Sequence, residues 1–150
     1  MTVYARLAEL QALVGREIGV SDWVRLDQPR IDLFAQATGD HQWIHVDPAR
    51  AAGGPFGATV AHGFLTLSLL PEMSAGAFHI DDVRMGINYG LDRVRFPAPV
   101  RVGSRLRGRF VLRDWQPLDG GAQLAAECTM ELEGSAKPAC VALTLSQRFT

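Results

Sequence analysis

The chain has 150 residues, with 47% hydrophobic and 21% charged side chains, which suits a single globular domain with a sizeable core rather than a disordered chain. Its 15 Lys+Arg against 16 Asp+Glu leave a formal net charge of -1, so no global basic bias points to nucleic acid or a membrane surface. No apolar run approaches the roughly 18–20 residues that span a bilayer, and Arg6 and Glu9 interrupt the apolar run that a secretory signal requires; the expected location is the cytoplasm.

In chain order, Thr2 to Val14 carries Leu7, Leu10 and Val14 at helical spacing and ends at Gly15, which predicts an amphipathic helix. Glu17 to Asp27 reads as a strand with Trp23 and Val24 as its bulky members. Ile31, Phe34, Ala35 and Thr38 return to helical spacing over Arg30 to Thr38, and Gly39 is a natural left-handed terminator. Asp47-Pro48 is an N-cap followed by a proline at the first helical position, so Pro48 to Ala52 forms a short helix. Asp40 and His45 fall in the connection between these helices.

Five positions on one helix would set two side chains roughly 140° apart at about 100° per residue, so only a loop brings Asp40 and His45 to one target. A carboxylate and an imidazole held close can position a water and pass its proton, which is acid/base chemistry without a nucleophile. The plainer reading is an ordinary helix stop at Gly39-Asp40 with His45 as a satisfied surface or core residue. Trp43 and Ile44 argue that the loop is packed down and partly dry.

Gly53-Gly54-Pro55-Phe56-Gly57 breaks regular structure but lacks the Gly-Lys-Ser/Thr ending and preceding strand of a phosphate loop. Ala61-His62-Gly63-Phe64 then opens an apolar helix, with free backbone N–H groups at its start. His62 to Met73 is apolar on several faces, as for a helix wrapped by a sheet, and Pro71 is expected to bend it near its end. Ser68 either bonds back to a carbonyl or reaches toward the Asp40 loop.

From Asn88 the period becomes two: Val94, Phe96, Leu106, Phe110, Leu112, Leu124, Ala126, Cys128, Met130, Leu132, Val141, Leu143 and Leu145 alternate with mostly polar residues. Turns at Pro117–Gly121 and Glu133–Ser135 suit antiparallel hairpins, which predicts a curved antiparallel sheet around one long helix. Seven of the 14 arginines lie between Arg93 and Arg113, either as a solvated sheet face or, near a pocket mouth, as captors of carrier phosphates. Cys128 and Cys140 read as small strand hydrophobes, and no Cys-x2-Cys or HExxH supports a metal; no metal is expected.

F-A-x-x-T-G-D-x-x-x-I-H-x-D-x-x-x-A from Phe34, the later A-H-G-F-L, and N-Y-G-L-D-R-V-R-F-P-x-P-V from Asn88 resemble the MaoC-like dehydratase family of (R)-specific enoyl-CoA hydratases. The resemblance implies an α+β hot-dog fold over one domain, residues 1–150, and a hydro-lyase that adds water to trans-2-enoyl thioesters through Asp40 and His45. It implies that Gly63 N–H binds the carbonyl oxygen, that Ser68 orients the site, and that Trp43, His62, Asn88 and Tyr89 contact substrate, although Tyr89 also suits plain core. The implied partners are a coenzyme A or acyl-carrier thioester as substrate, with no resident cofactor, and a second copy in a homodimer. Competing readings are a hot-dog thioesterase, which directs water at C1, a carrier-protein dehydratase subunit, and a non-catalytic carrier-binding subunit.

Overall fold

A computed structural model describes residues Met1–Thr150. The main sheet has the order β2-β6-β7-β8-β5, built from β2 (Glu17–Val20), β5 (Met85–Arg95), β6 (Arg105–Leu118), β7 (Gly121–Leu132) and β8 (Cys140–Phe149), all antiparallel. The short β3 (Val24–Arg25) also pairs with β6. β1 (Thr2–Tyr4) and β4 (Phe78–Ile80) form a separate parallel pair.

Period two in the sequence becomes two sheet faces. Leu106, Phe110, Leu112, Leu124, Cys128 and Met130 are buried on one face against the central helices. Each of the leucine, phenylalanine and methionine side chains contributes about 1.5–3 kcal/mol of transfer free energy. On the other face Arg105 pairs with Glu133, Arg107 with Glu131, Arg109 with Glu17 and Glu131, and Arg113 with Glu127. Four of the seven arginines of this stretch thus form a solvated face laced by cross-strand ion pairs, with Arg107 also lying 4.6 Å over the Trp23 ring.

Five helices accompany the sheet: α1 (Gln28–Thr38), α2 (Trp43–Val46), α3 (Pro48–Ala52), α4 (Gly63–Ser68) and α5 (Leu70–Ala77). The central helical segment is divided at Leu69 into α4 and α5 instead of running unbroken. Pro71 explains the division, since it has no N–H to give Leu67 and its ring crowds that carbonyl. Leu65, Leu69 and Met73 are buried, but Phe64 is 74% exposed, so the segment is not apolar-wrapped all round. No helix is long and apolar enough to cross a membrane.

The N-terminal expectation needs correction. Thr2–Tyr4 is a strand, because it finds β4 as a partner, and only Leu7–Leu13 is helical, as a 3-10 helix. Leu7 and Leu10 are buried as expected, whereas Val14 is 44% exposed. The strand expected over Glu17–Asp27 is interrupted after Val20, where Ser21 Oγ instead accepts the Gly108 N–H at 2.9 Å. Phe96 lies beyond the end of β5 and packs over Gly63 rather than alternating into the sheet. The expected tight turn at Glu133–Ser135 is only the start of a longer connection, since β8 begins at Cys140.

Asp27 caps α1 by accepting the Arg30 N–H at 3.1 Å, and Asp47 caps α3 by accepting that of Arg50 at 3.0 Å. Each cap is worth about 1 kcal/mol. Gly39 ends α1 at φ 78°, and its N–H closes on Ala35 O. A Cβ at Gly39 would meet no atom within 4 Å, so Gly39→Ala tests the backbone alone. The expected outcome is a loss of about 1–2 kcal/mol in chemical denaturation, with the fold retained by circular dichroism.

Candidate active site

His45 does not sit in an irregular loop, because Trp43–Val46 closes one turn of helix whose last bond runs from Asp47 N to Trp43 O. This turn is clamped to the segment before α4 by two bonds: Val60 N donates to Ile44 O at 3.0 Å, and His45 Nδ1 lies 2.6 Å from Val60 O. A carbonyl only accepts, so Nδ1 carries the proton and Nε2 keeps a free lone pair. Gln28 braces the clamp from α1, giving its Nε2–H to His45 O at 2.8 Å and accepting the Thr59 hydroxyl at 2.5 Å.

His62, the residue before α4, is 2% exposed and stacks on His45 with ring centroids 3.8 Å apart and planes 25° from parallel. Its Nε2 lies 3.0 Å from the Asp40 backbone carbonyl, to which it donates, while Nδ1 is buried without a partner. Phe34 packs on the same ring at 4.9 Å. Asp40 itself is exposed, and its carboxylate accepts the Gln42 N–H at 3.3 Å. One histidine therefore fixes the loop that carries the acid and supports the face of the other histidine.

Side-chain ligand atoms of Asp40, His45 and His62 lie within 4.8 Å of one another. Two hydrogen bonds of about 2.8 Å meeting at a water span about 4.6 Å, so the spacing suits one bridging water. A metal ion is served less well. In-plane lone pairs of stacked imidazoles run side by side instead of converging at the roughly 2.0–2.1 Å of a zinc–nitrogen bond, and one nitrogen of each ring is already engaged by a carbonyl.

Burial lowers the pKa of His45 from its ordinary value, assisted by the His62 ring, while the Val60 carbonyl and Asp40 pull the other way. The imidazole thus stays neutral, with a basic Nε2, further into the acid range than a free histidine.

Beside this group a cavity of about 550 Å³ is lined by Phe34, Phe64, Leu67, Leu70 and Leu91, with Thr38, Ser68 and Asn88 at its polar positions. Ser68 Oγ spends its proton on Leu65 O at 2.8 Å, so it bonds backward and keeps only acceptor capacity toward the cavity. Gly63 is the first residue of α4, and its N–H has no acceptor within the helix. The structure brings Asp40, His45 and His62 together and sets Ser68 and Asn88 on the neighbouring cavity. Trp43 and Tyr89 do not line it: Trp43 packs under Arg50, 4.3 Å from the ring, and against Gly54, and Tyr89 is 62% exposed on β5.

A family model described as "MaoC like domain" matches residues 9–130. The chain belongs to the MaoC-like family. It is 54% identical over 143 residues to 3-hydroxyacyl-thioester dehydratase Z of Mycobacterium tuberculosis, covering 95% of each chain. It is likewise 54% identical over 140 residues to Nodulation protein N of Rhizobium leguminosarum bv. viciae, covering 91% of this chain and 86% of that one. Among solved structures, the unliganded R-hydratase PhaJ1 from Pseudomonas aeruginosa superposes with a TM-score of 0.73 at 22% identity, covering 97% and 86% of the two chains. That likeness bears on fold, and the fold is the hot dog: an α+β domain with a curved antiparallel sheet around a central helical segment.

Gln28 and Thr59 carry no motif signal in the sequence, and the stacking role of His62 showed only as part of A-H-G-F. The lowered pKa makes one consequence measurable. Between the folded-state value and the unfolded value of about 6.5, the folded chain holds fewer protons at His45 than the unfolded one. Stability from this residue is therefore complete above about pH 6.5 and falls as the pH drops to the folded-state value. Urea denaturation across that range is expected to show a decline in the native protein that is absent from His45→Gln.

Proposed function

We propose that the protein is a hydro-lyase that interconverts trans-2-enoyl and (3R)-3-hydroxyacyl thioesters, with Asp40 and His45 as its catalytic pair. The observation that carries this reading is a buried His45 whose tautomer is fixed by Val60, leaving Nε2 free, with a ring nitrogen within 4.8 Å of the Asp40 carboxylate. The reaction class is supported by the 3-hydroxyacyl-thioester dehydratase Z of Mycobacterium tuberculosis, 54% identical to this chain over 143 residues.

In hydration, a water between the two side chains adds its oxygen to C3 and gives its proton to the pair. The electron pair displaced from the double bond moves toward C2 and the thioester oxygen, where the Gly63 N–H stabilises the enolate-like charge. C2 then takes a proton from the pair, so Asp40 and His45 end the turn in the charge state in which they began. Dehydration is the same route reversed. His45, kept neutral by burial, suits the role of proton acceptor.

The substrate carries coenzyme A or a carrier protein as a thioester, and no resident cofactor enters the chemistry. The apolar cavity beside Phe34 suits an acyl chain. Replacing Asp40 by Asn or His45 by Gln is expected to lower hydration of enoyl-CoA by about two to four orders of magnitude. Loss of the enoyl absorbance checks this, chiral analysis of the product checks the (3R) outcome, and release of free coenzyme A in its place would mark a thioesterase. Retained hydration in either variant overturns the pair.

The assembly proposed is a homodimer joined along β5. This strand pairs with β8 on one side, while its other edge has no partner in the main sheet. It also exposes Met85, Ile87, Tyr89 and Leu91 by 52%, 43%, 62% and 44%. An open edge bearing apolar side chains is a template for strand pairing. Sedimentation is expected to give a dimer for the native chain and a shift toward monomer for Ile87→Lys combined with Tyr89→Lys.

A further inference from the structure

The cavity beside the catalytic pair does not end at α4. It shares Leu70, Pro71, Asn88 and Thr144 with a narrow space of about 40 Å³ between α5 and the sheet, walled by Ile18, Phe110 and Leu124. That neck in turn shares Pro71, Ser74, Phe78, Asn88 and Arg148 with a third cavity of about 370 Å³. The three adjoin through these shared residues, with apolar walls in the middle and a basic far end, where Arg148 and Arg84 line a space without a single acidic residue.

Arg148 is unlike the arginines of the outer sheet face. Arg105, Arg107, Arg109 and Arg113 each pair with a glutamate. Arg148 makes no such pair, and its Nε is buried with no acceptor in the chain. Desolvation lowers its pKa, with no carboxylate to offset the burial. Its cross-strand neighbour on β5 is Gly86, and a Cβ there would collide with the guanidinium. A glycine thus makes room for a cation that the fold itself leaves unsatisfied. A desolvated guanidinium without a counter-ion is costly, and a planar carboxylate is its best-matched partner.

We infer that the three cavities join into one passage that receives the acyl chain and that Arg148 binds a carboxylate at its distal end, so that the protein accepts thioesters of ω-carboxylated acyl chains. The inference rests on the thioester reading above for which end of the chain lies at Asp40 and His45. A phosphate of the carrier is the other source of an anion, but the neck between α5 and the sheet suits a polymethylene chain better than a phosphopantetheine arm.

Binding of saturated thioesters tests this without turnover, so absence of hydratase activity, which would count against the proposed reaction, leaves the comparison intact. Calorimetric titration of the purified chain compares adipyl-, suberyl- and sebacyl-CoA with hexanoyl-, octanoyl- and decanoyl-CoA. In at least one matched pair the carboxylated thioester is expected to bind about ten-fold or more tightly, the weight of a charge-assisted bidentate pair. Arg148→Met is expected to bring that ratio to about one, and Arg148→Lys to keep part of it. Equal affinity in every pair, or no binding of any thioester, overturns the inference. So does a loss in Arg148→Met that weakens both members of each pair alike, which would mark a carrier phosphate as the anion.

Discussion

The bond between His45 Nδ1 and the Val60 carbonyl, 2.6 Å long, is the constraint on which the site depends. It performs two tasks at once. It sets the tautomer that leaves Nε2 basic, and it ties the one-turn helix α2 to the segment that leads into α4. Without it the imidazole could rotate, and the distance to Asp40 would no longer be defined. The His62 ring reinforces the same geometry from its flat side, and its bond to the Asp40 carbonyl carries that order into the acid's loop. Gln28 and Thr59 then anchor the assembly to the start of α1. A short loop thereby acquires the rigidity expected of regular structure.

Much of this was legible in the residues, and the limits have physical causes. Gly39 and Asp47-Pro48 marked helix ends correctly because capping chemistry is local, needing only the residues that do it. The alternation in β6 and β7 was legible because one face meets the core and the other meets water. The N-terminal strand was not, since its conformation depends on β4, some seventy residues away in the chain. The division at Leu69 was signalled by Pro71, but the sequence suggested a bend near the end rather than two separate helices. Gln28 was illegible for a related reason: a glutamine near a helix start has no local obligation, and its partners come from two other segments. The Asp40 and His45 pair stood out only because flanking motifs fixed its context, and Trp43, beside it in sequence, turns away to Arg50 and Gly54.

The sheet divides its surfaces by chemistry. Its outer face is a lattice of arginines and glutamates, each of modest worth because solvent screens exposed pairs. Such a face is hydrated and offers little to an apolar partner. The edge at β5 is the opposite, with unpaired backbone and protruding side chains side by side. Gly86 on this strand belongs to both stories, since it lies along the exposed edge strand and yields space to Arg148 from β8. The cavity at Arg148 and the open edge are therefore built from the same strand, so a substitution on β5 acts on both.

The two thiols buried in the sheet carry a practical corollary. Cys128 on β7 and Cys140 on β8 are both shielded from solvent, and burial drives their ionisation upward, to about 11 for Cys140 and further for Cys128. At neutral pH essentially no thiolate forms, and the thiolate is the species that electrophiles and peroxides attack. The native molecule is therefore a quiet background for thiol-directed dyes: a single cysteine introduced on its surface would report alone, with neither endogenous sulfur needing removal first.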